Sequence, residues 1–231
     1  PPGGPDLAVA GVGSRKGMPT PTPQQKVSQV AMFGGENVTI NLVGDNYDDC
    51  FDAAKSFVSK TGKTFIHPFD DEDVIAGQAT MALEILEQSK SSIDYIIVPV
   101  GGGGLISGII NVFKHKSPQT KIIGVEPKGA PSMHESLKQG NRITLDSLDV
   151  FVDGAAVKTI GEMGFDFCSQ HMDDLLLVDE GEICQNILTM YNQDAIVVEP
   201  AGAMSVSALP QLKEEIKGKN VVCLVCGGNN D

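Results

Sequence analysis

At 231 residues, 41% of them hydrophobic, the chain is long enough for one large α/β domain or a domain plus part of another, and too apolar for global disorder. Its formal net charge of −13 argues against binding to nucleic acid or an anionic membrane, and it has no apolar run of the ~18 residues that suggests a membrane span. Five scattered cysteines read as reduced thiols of a cytoplasmic protein, no secretory signal is visible, and four isolated histidines lack zinc-ligand spacing.

Residues 1–17, rich in Pro and Gly and without periodicity, read as an irregular lead-in or a remnant of cloning. The alternating prolines of MPTPTP, from Met18 to Pro23, exclude helix, and Pro23 then suits the first turn of a short helix ended by Gly34. Asn37 to Val43 alternates as a strand, and its glycosylation sequon is read as chance. Tyr47 to Lys60 is an amphipathic helix carrying Phe51, Ala54 and Phe57 on one side, and Thr64 to Ile66 reads as a short strand. A second amphipathic helix follows, with acids at its entrance and Ile75, Ala79, Ala82, Leu83 and Leu86 as its apolar face. Asp70 to Asp73 is read as that charged entrance, because a calcium loop would need a different order of ligands.

The centre of the chain is Asp94 to Lys116. Tyr95 to Val100 is an apolar run suited to a strand buried on both faces; Gly101 to Gly104 follow, and then Leu105, Ile106, Ile109, Ile110 and Phe113 recur at helical spacing. A glycine turn opening a helix offers unpaired N–H groups and the positive end of the helix dipole, which together suit a phosphate. A flexible connecting turn is the competing reading. The Lys-Ser or Lys-Thr of a P-loop is absent. The dinucleotide pattern fails at its third glycine, where Ile106 or Ser107 stands. Glu126, an acid about twenty residues beyond the glycines, could hold a ribose hydroxyl and keeps a dinucleotide-binding Rossmann-like domain as the alternative.

Lys121 to Pro127 reads as the next strand, and Ser132 with Glu135 has capping-box spacing at another helix start. Asp153 to Ala156 is a small-residue turn before a helix over Val157 to His171, and Leu175 to Val178 reads as a buried strand. Asp179 and Glu182 form a second capping-box pattern before a helix at Ile183 to Asn192, and Glu199-Pro200 opens a further one. Val221 to Val225 reads as the last buried strand; Cys223 and Cys226 lie three apart in the strand pattern NVVCLVC, where they face opposite sides, which does not suit a redox pair. Alternation of strands and helices from about residue 94 predicts an α/β fold with a mostly parallel sheet covered by helices. The turns after Val100 and Val225 both end buried strands, where ligands of such sheets collect, so one joint site is expected.

Together, MPTPTPQQKVSQVAMFGG, GKTFIHPFDDEDVIAGQATMALEILEQ, IIVPVGGGGLISGI, IIGVEPKGAPSM, DGAAVKTIGEMGF, VVEPAGAMSVSAL and VCLVCGGNN resemble, in order and spacing, the biosynthetic threonine dehydratase (threonine ammonia-lyase) family of fold-type-II pyridoxal-phosphate enzymes. The resemblance divides the chain into the lead-in 1–17, part of a small α/β domain at 18–75 and a large cofactor-binding α/β domain at 76–231. It implies pyridoxal 5'-phosphate as cofactor, with its phosphate lined by Gly101, Gly102, Gly103, Gly104 and Leu105. Gly154 would lie by the ring, and Cys226 would face the pyridine nitrogen. A thiol there is a weak donor, leaving the ring a mild electron sink suited to β-elimination. The implied reaction takes L-threonine, or L-serine, as small-molecule substrate; threonine gives 2-oxobutanoate and ammonia, the first step of isoleucine biosynthesis. A cytoplasmic homo-oligomer, dimer or tetramer, is the implied setting. Glu126 and Ala130 resemble cation-site residues of serine racemases, but Ser132 stands where an acid is usual, so no metal is claimed. The family's Schiff-base lysine, in an S-F-K-x-R-G-A context, and its S-x-G-N-H-A-Q-G substrate loop are not in this sequence; Lys16, between Arg15 and Gly17, is only a superficial echo. The expectation is therefore a piece of a longer enzyme, without its regulatory domain, weakly active or inactive alone. A non-catalytic module that keeps only the phosphate socket is the third reading.

Overall fold

The computed structural model describes residues 14–45 and 47–228, and it divides the chain after Pro68 into a smaller unit and a larger one running from Phe69 to Gly228. Residues 1–13 of the expected lead-in lie outside the described residues. The remainder of that lead-in is not irregular: Ser14–Met18 forms strand β1, parallel to β2 (Val38–Leu42), with Ser14 opposite Val38 and Met18 opposite Leu42. SRKGM carries no alternation of its own, so its extended form is set by the partner strand. Helix α1 (Gln24–Gly34) follows Pro23, and α2 (Tyr47–Thr61) closes the unit. Thr64 to Ile66 is not a strand. The segment is held instead by side chains, with Phe65 and His67 edge-on to Phe51 at ring centroids of 5.6 and 5.2 Å.

The larger unit is a four-stranded, wholly parallel sheet of β3 (Tyr95–Pro99), β4 (Lys121–Pro127), β5 (Asp174–Val178) and β6 (Val221–Cys223), in the order β5-β4-β3-β6. Its helices are α3 (Glu72–Gln88), α4 (Gly104–Lys116), α5 (Ser132–Gln139), α6 (Glu162–His171), α7 (Glu180–Asp194) and α8 (Pro200–Ser207). The two-residue period of the strands sorts the core into two faces. Ile96, Val98 and Val100 point to one cluster with Ile106, Ile110 and Phe113 of α4; Tyr95 and Ile97 point to the other with Ile183 of α7 and Met204 of α8. The covered parallel α/β sheet expected from the sequence is the fold observed.

Several boundaries differ from expectation for identifiable reasons. Leu83 is 43% exposed, and Met81 and Ile85 join Ala82 and Leu86 against the core, so the apolar stripe of α3 is rotated. Residues 157–161 are not helical, and α6 starts at Glu162, where the Asp70 carboxylate accepts the first N–H groups. Ser132 does not cap α5. The cap position belongs to Pro131, and Glu126 reaches across to the helix start instead. Strand β5 is an edge strand with only Val178 buried, and β6 spans three residues, half-buried rather than buried. The Asp179–Glu182 capping box and Pro200 at the first position of α8 form as expected.

Candidate functional site

Gly101 to Gly104 lead from the carboxyl end of β3 into α4, and Gly103 adopts φ +99°, a left-handed conformation that favours glycine. Glycine here also permits close approach. A Cβ on Gly102 would overlap the Phe69 ring, one on Gly103 would come within 2.8 Å of Gly164 Cα, and one on Gly104 within 2.8 Å of the Phe69 carbonyl oxygen. The turn is therefore a fixed bend clamped by neighbours, not a flexible connection. The sequence suggested converging amides as the reason for four glycines; packing against Phe69 and Gly164 supplies a second reason.

The start of α4 differs from most helix starts in this unit. Asp71 caps α3, Glu126 receives the first amides of α5, Asp70 those of α6 and Asp179 those of α7. Helix α4 has no side-chain cap, although Gly104 and Ile106 are buried and Leu105 is half-buried. Helix geometry leaves the N–H groups of Gly104, Leu105 and Ile106 without an intrahelical acceptor. A bound anion is chemically suited to that end.

The other expected residues converge on the same edge of the sheet. Strands β3 and β6 are neighbours, with Ile97 opposite Cys223, so the turns that follow both strands leave adjacent carboxyl ends. A Cβ on Gly101 would stand 3.1 Å from Ala155 Cα, which places the 151–155 turn against the first glycine. Gly154 in turn faces Glu199: a Cβ there would lie 2.7 Å from the Glu199 carboxylate, and one on Gly227 would overlap the same carboxyl group. The Glu199 N–H also donates to the Gly227 carbonyl at 3.1 Å. Gly101–Gly104, Gly154 and Cys226 thus belong to one connected set of turns.

Glu199 is the residue that the sequence reading used only as a helix opener. It is 2% exposed and its side chain does not cap α8; it joins the Gly154 turn to the Cys226–Gly227 turn. An acid directly ahead of a proline at a helix start was the available signal. Burial, and secondarily the charge of Glu199, push the Cys226 thiol up to about 11, so it stands as a neutral, weak donor near neutral pH. Cys223 and Cys226 are both free thiols.

Glu126 does not serve as the acid of a dinucleotide site. It is fully buried, its Oε1 accepts the Met133 N–H and its Oε2 the His134 N–H at 2.8 Å each, and Ser132 Oγ donates at 3.5 Å. Both oxygens are engaged by the start of α5, which removes the feature that supported the dinucleotide alternative. Among the described residues no group of three or more His, Cys, Asp or Glu could hold a metal ion, and no helix is long and apolar enough to cross a membrane. Lys16 lies in β1 of the smaller unit.

The residues present fit two ends of pyridoxal phosphate: an uncapped buried helix start for the phosphate and a neutral thiol at the neighbouring strand end for the ring nitrogen. The family model described as "Pyridoxal-phosphate dependent enzyme" matches residues 7–227. The chain is 56% identical over 214 residues to the biosynthetic L-threonine dehydratase of Halalkalibacterium halodurans, covering 93% of this chain and 52% of that protein. It is 54% identical over 214 residues to the Bacillus subtilis counterpart, with 93% and 51% covered. Among solved structures, the processed form of threonine deaminase isoform 2 from Solanum lycopersicum superposes with a TM-score of 0.84 at 40% identity, over 93% of this chain and 58% of that one. Maize serine racemase gives 0.81 at 33% identity, over 92% and 65%. The chain spans about half the length of the curated relatives it matches.

Proposed function

The chain belongs to the pyridoxal-phosphate dependent enzyme family, and from that membership we propose that it is the cofactor-holding part of an enzyme that deaminates L-threonine, and L-serine, by β-elimination. The products from threonine are 2-oxobutanoate and ammonia, and the reaction opens isoleucine biosynthesis. The observation that carries this reading is the uncapped glycine start of α4, beside the turns that hold Gly154 and Cys226.

In this reading the N–H groups of Gly104, Leu105 and Ile106, with the glycine turn before them, hold the phosphate by hydrogen bonds and by the helix dipole. The ring would lie beside the Gly154 turn, where the missing Cβ leaves space for the Glu199 carboxylate. Cys226 offers the ring nitrogen a weak donor whose proton stays on sulfur. When bound, pyridoxal phosphate supplies the electron sink for loss of the substrate's α-proton, and the protein supplies placement. No residue of the larger unit is assigned the covalent hold on the cofactor, and the chain alone is expected to turn over little threonine. The setting proposed for the whole enzyme is the cytoplasm, as a homo-oligomer, dimer or tetramer.

The test compares pyridoxal phosphate with pyridoxal by titration, followed in the visible spectrum and by phosphorus NMR. Binding that depends on the phosphate is the expected result, with 2-oxobutanoate released from threonine by the full-length enzyme. Equal affinity for the two compounds, or preferential binding of NADH, would overturn the reading.

A further inference from the structure

Resting on the reading of the glycine turn as a phosphate cradle, we propose that Asp70 is a positioning residue for that cradle, acting through the first turn of α6 on the Gly102–Gly103 peptide. Two adjacent aspartates hold two different helices. Asp71 caps its own helix α3, accepting from Asp73 and Val74 N–H at 3.0 and 3.2 Å. Asp70 reaches a segment more than ninety residues away in sequence, accepting from the Glu162 N–H at Oδ2 and the Met163 N–H at Oδ1, both at 3.0 Å.

The consequence falls on Gly161, the residue just before α6. Its N–H donates to the Gly102 carbonyl at 2.9 Å. In a planar trans peptide the C=O and the following N–H point in opposite directions. Anchoring the Gly102 carbonyl to Gly161 therefore aims the Gly103 N–H the other way. The peptide lies between two glycines, which alone would let it rotate readily. It is held because Gly164 packs on Gly103 and the ring of Phe69, the neighbour of Asp70, packs on Gly102. The Phe69–Asp70 pair thus holds the turn by two routes, one residue by packing and the other through the start of α6. Removal of the Asp70 carboxylate leaves the Glu162 and Met163 amides without that acceptor, loosens the start of α6 and frees the Gly102–Gly103 peptide to turn.

The experiment measures the affinity ratio of pyridoxal phosphate to pyridoxal in the wild-type chain and in Asp70→Ala, Asp70→Asn and Asp71→Ala. Nitrogen–proton NMR of the Gly102 to Gly104 amides serves as the local readout. Asp70→Ala is expected to lower the ratio about tenfold by weakening only the phosphate-bearing compound, and Asp70→Asn, which keeps one acceptor oxygen, less than that. Asp71→Ala is expected to loosen α3 and leave the ratio unchanged. A wild-type chain that does not prefer the phosphate overturns the cradle itself. A wild-type preference that survives intact in Asp70→Ala overturns the role of Asp70 alone. If Asp70→Ala does not fold, the ratio and the glycine amide shifts of Asp70→Asn decide in the same way, an unchanged ratio with unchanged shifts counting against the proposal.

Discussion

Two opposing effects meet on Glu126. Two backbone N–H bonds favour its charged form, while burial disfavours it, and burial wins: the carboxyl is pushed from 4.5 up to about 8. Between those values the folded chain keeps a proton that the unfolded chain has released. The folded state then binds more protons, so its stability falls as pH rises through that window and is fully retained below about 4.5. Urea midpoints are expected to show this loss, on the order of a few kcal/mol, as a difference between wild type and Glu126→Gln. An identical pH dependence in both proteins would rule it out. The sequence marked Glu126 through its distance from the glycines, but distance along the chain does not reveal what surrounds a carboxylate. Met133 and His134 do, and only folding puts their amides against it.

For the helices, the same residue type has opposite effects in different places. Gly103 is left-handed and pressed against Gly164, so Gly103→Ala combines backbone strain with overpacking and is expected to destabilise by about 2–4 kcal/mol. Gly77 lies within α3 with open space around it, so Gly77→Ala is expected to stabilise by about 0.5–1 kcal/mol. Thermal and urea unfolding of the two variants should move in opposite directions, and a neutral Gly103→Ala would contradict the clamped turn. Helix starts were partly legible for a similar reason. Asp71 and Asp179 cap their own helices and are visible as local patterns, whereas α5 takes its acid from Glu126 at the end of the preceding strand and α6 from Asp70, more than ninety residues away. The expected helix at Val157 to His171 began too early because nothing local announces a cap supplied from residue 70.

The two units are unequal in their cores. Among the described residues of the smaller unit, only Met18 and Cys50 are fully buried apolar side chains, while the larger unit holds both hydrophobic clusters. Hydrogen exchange is expected to be slowest in β3 and β4, whose residues are almost all buried, and markedly faster in β1 and β2. Equal protection of the two sheets would show that buried area is not what sets their stability.

By itself the sequence determined the parallel α/β class, the strand–glycine–helix unit at its centre and the family resemblance, because these follow from periodicity, glycine placement and ordered short motifs. Tertiary structure decided what those motifs touch. Phe69 and Gly164 clamp the glycine turn, Glu199 joins the Gly154 and Gly227 turns, and Glu126 serves a helix rather than a ribose. The physical reason is that hydrogen bonds and packing act over a few ångströms of space, while the groups concerned, Glu126 and its helix apart, lie tens of residues from one another along the chain.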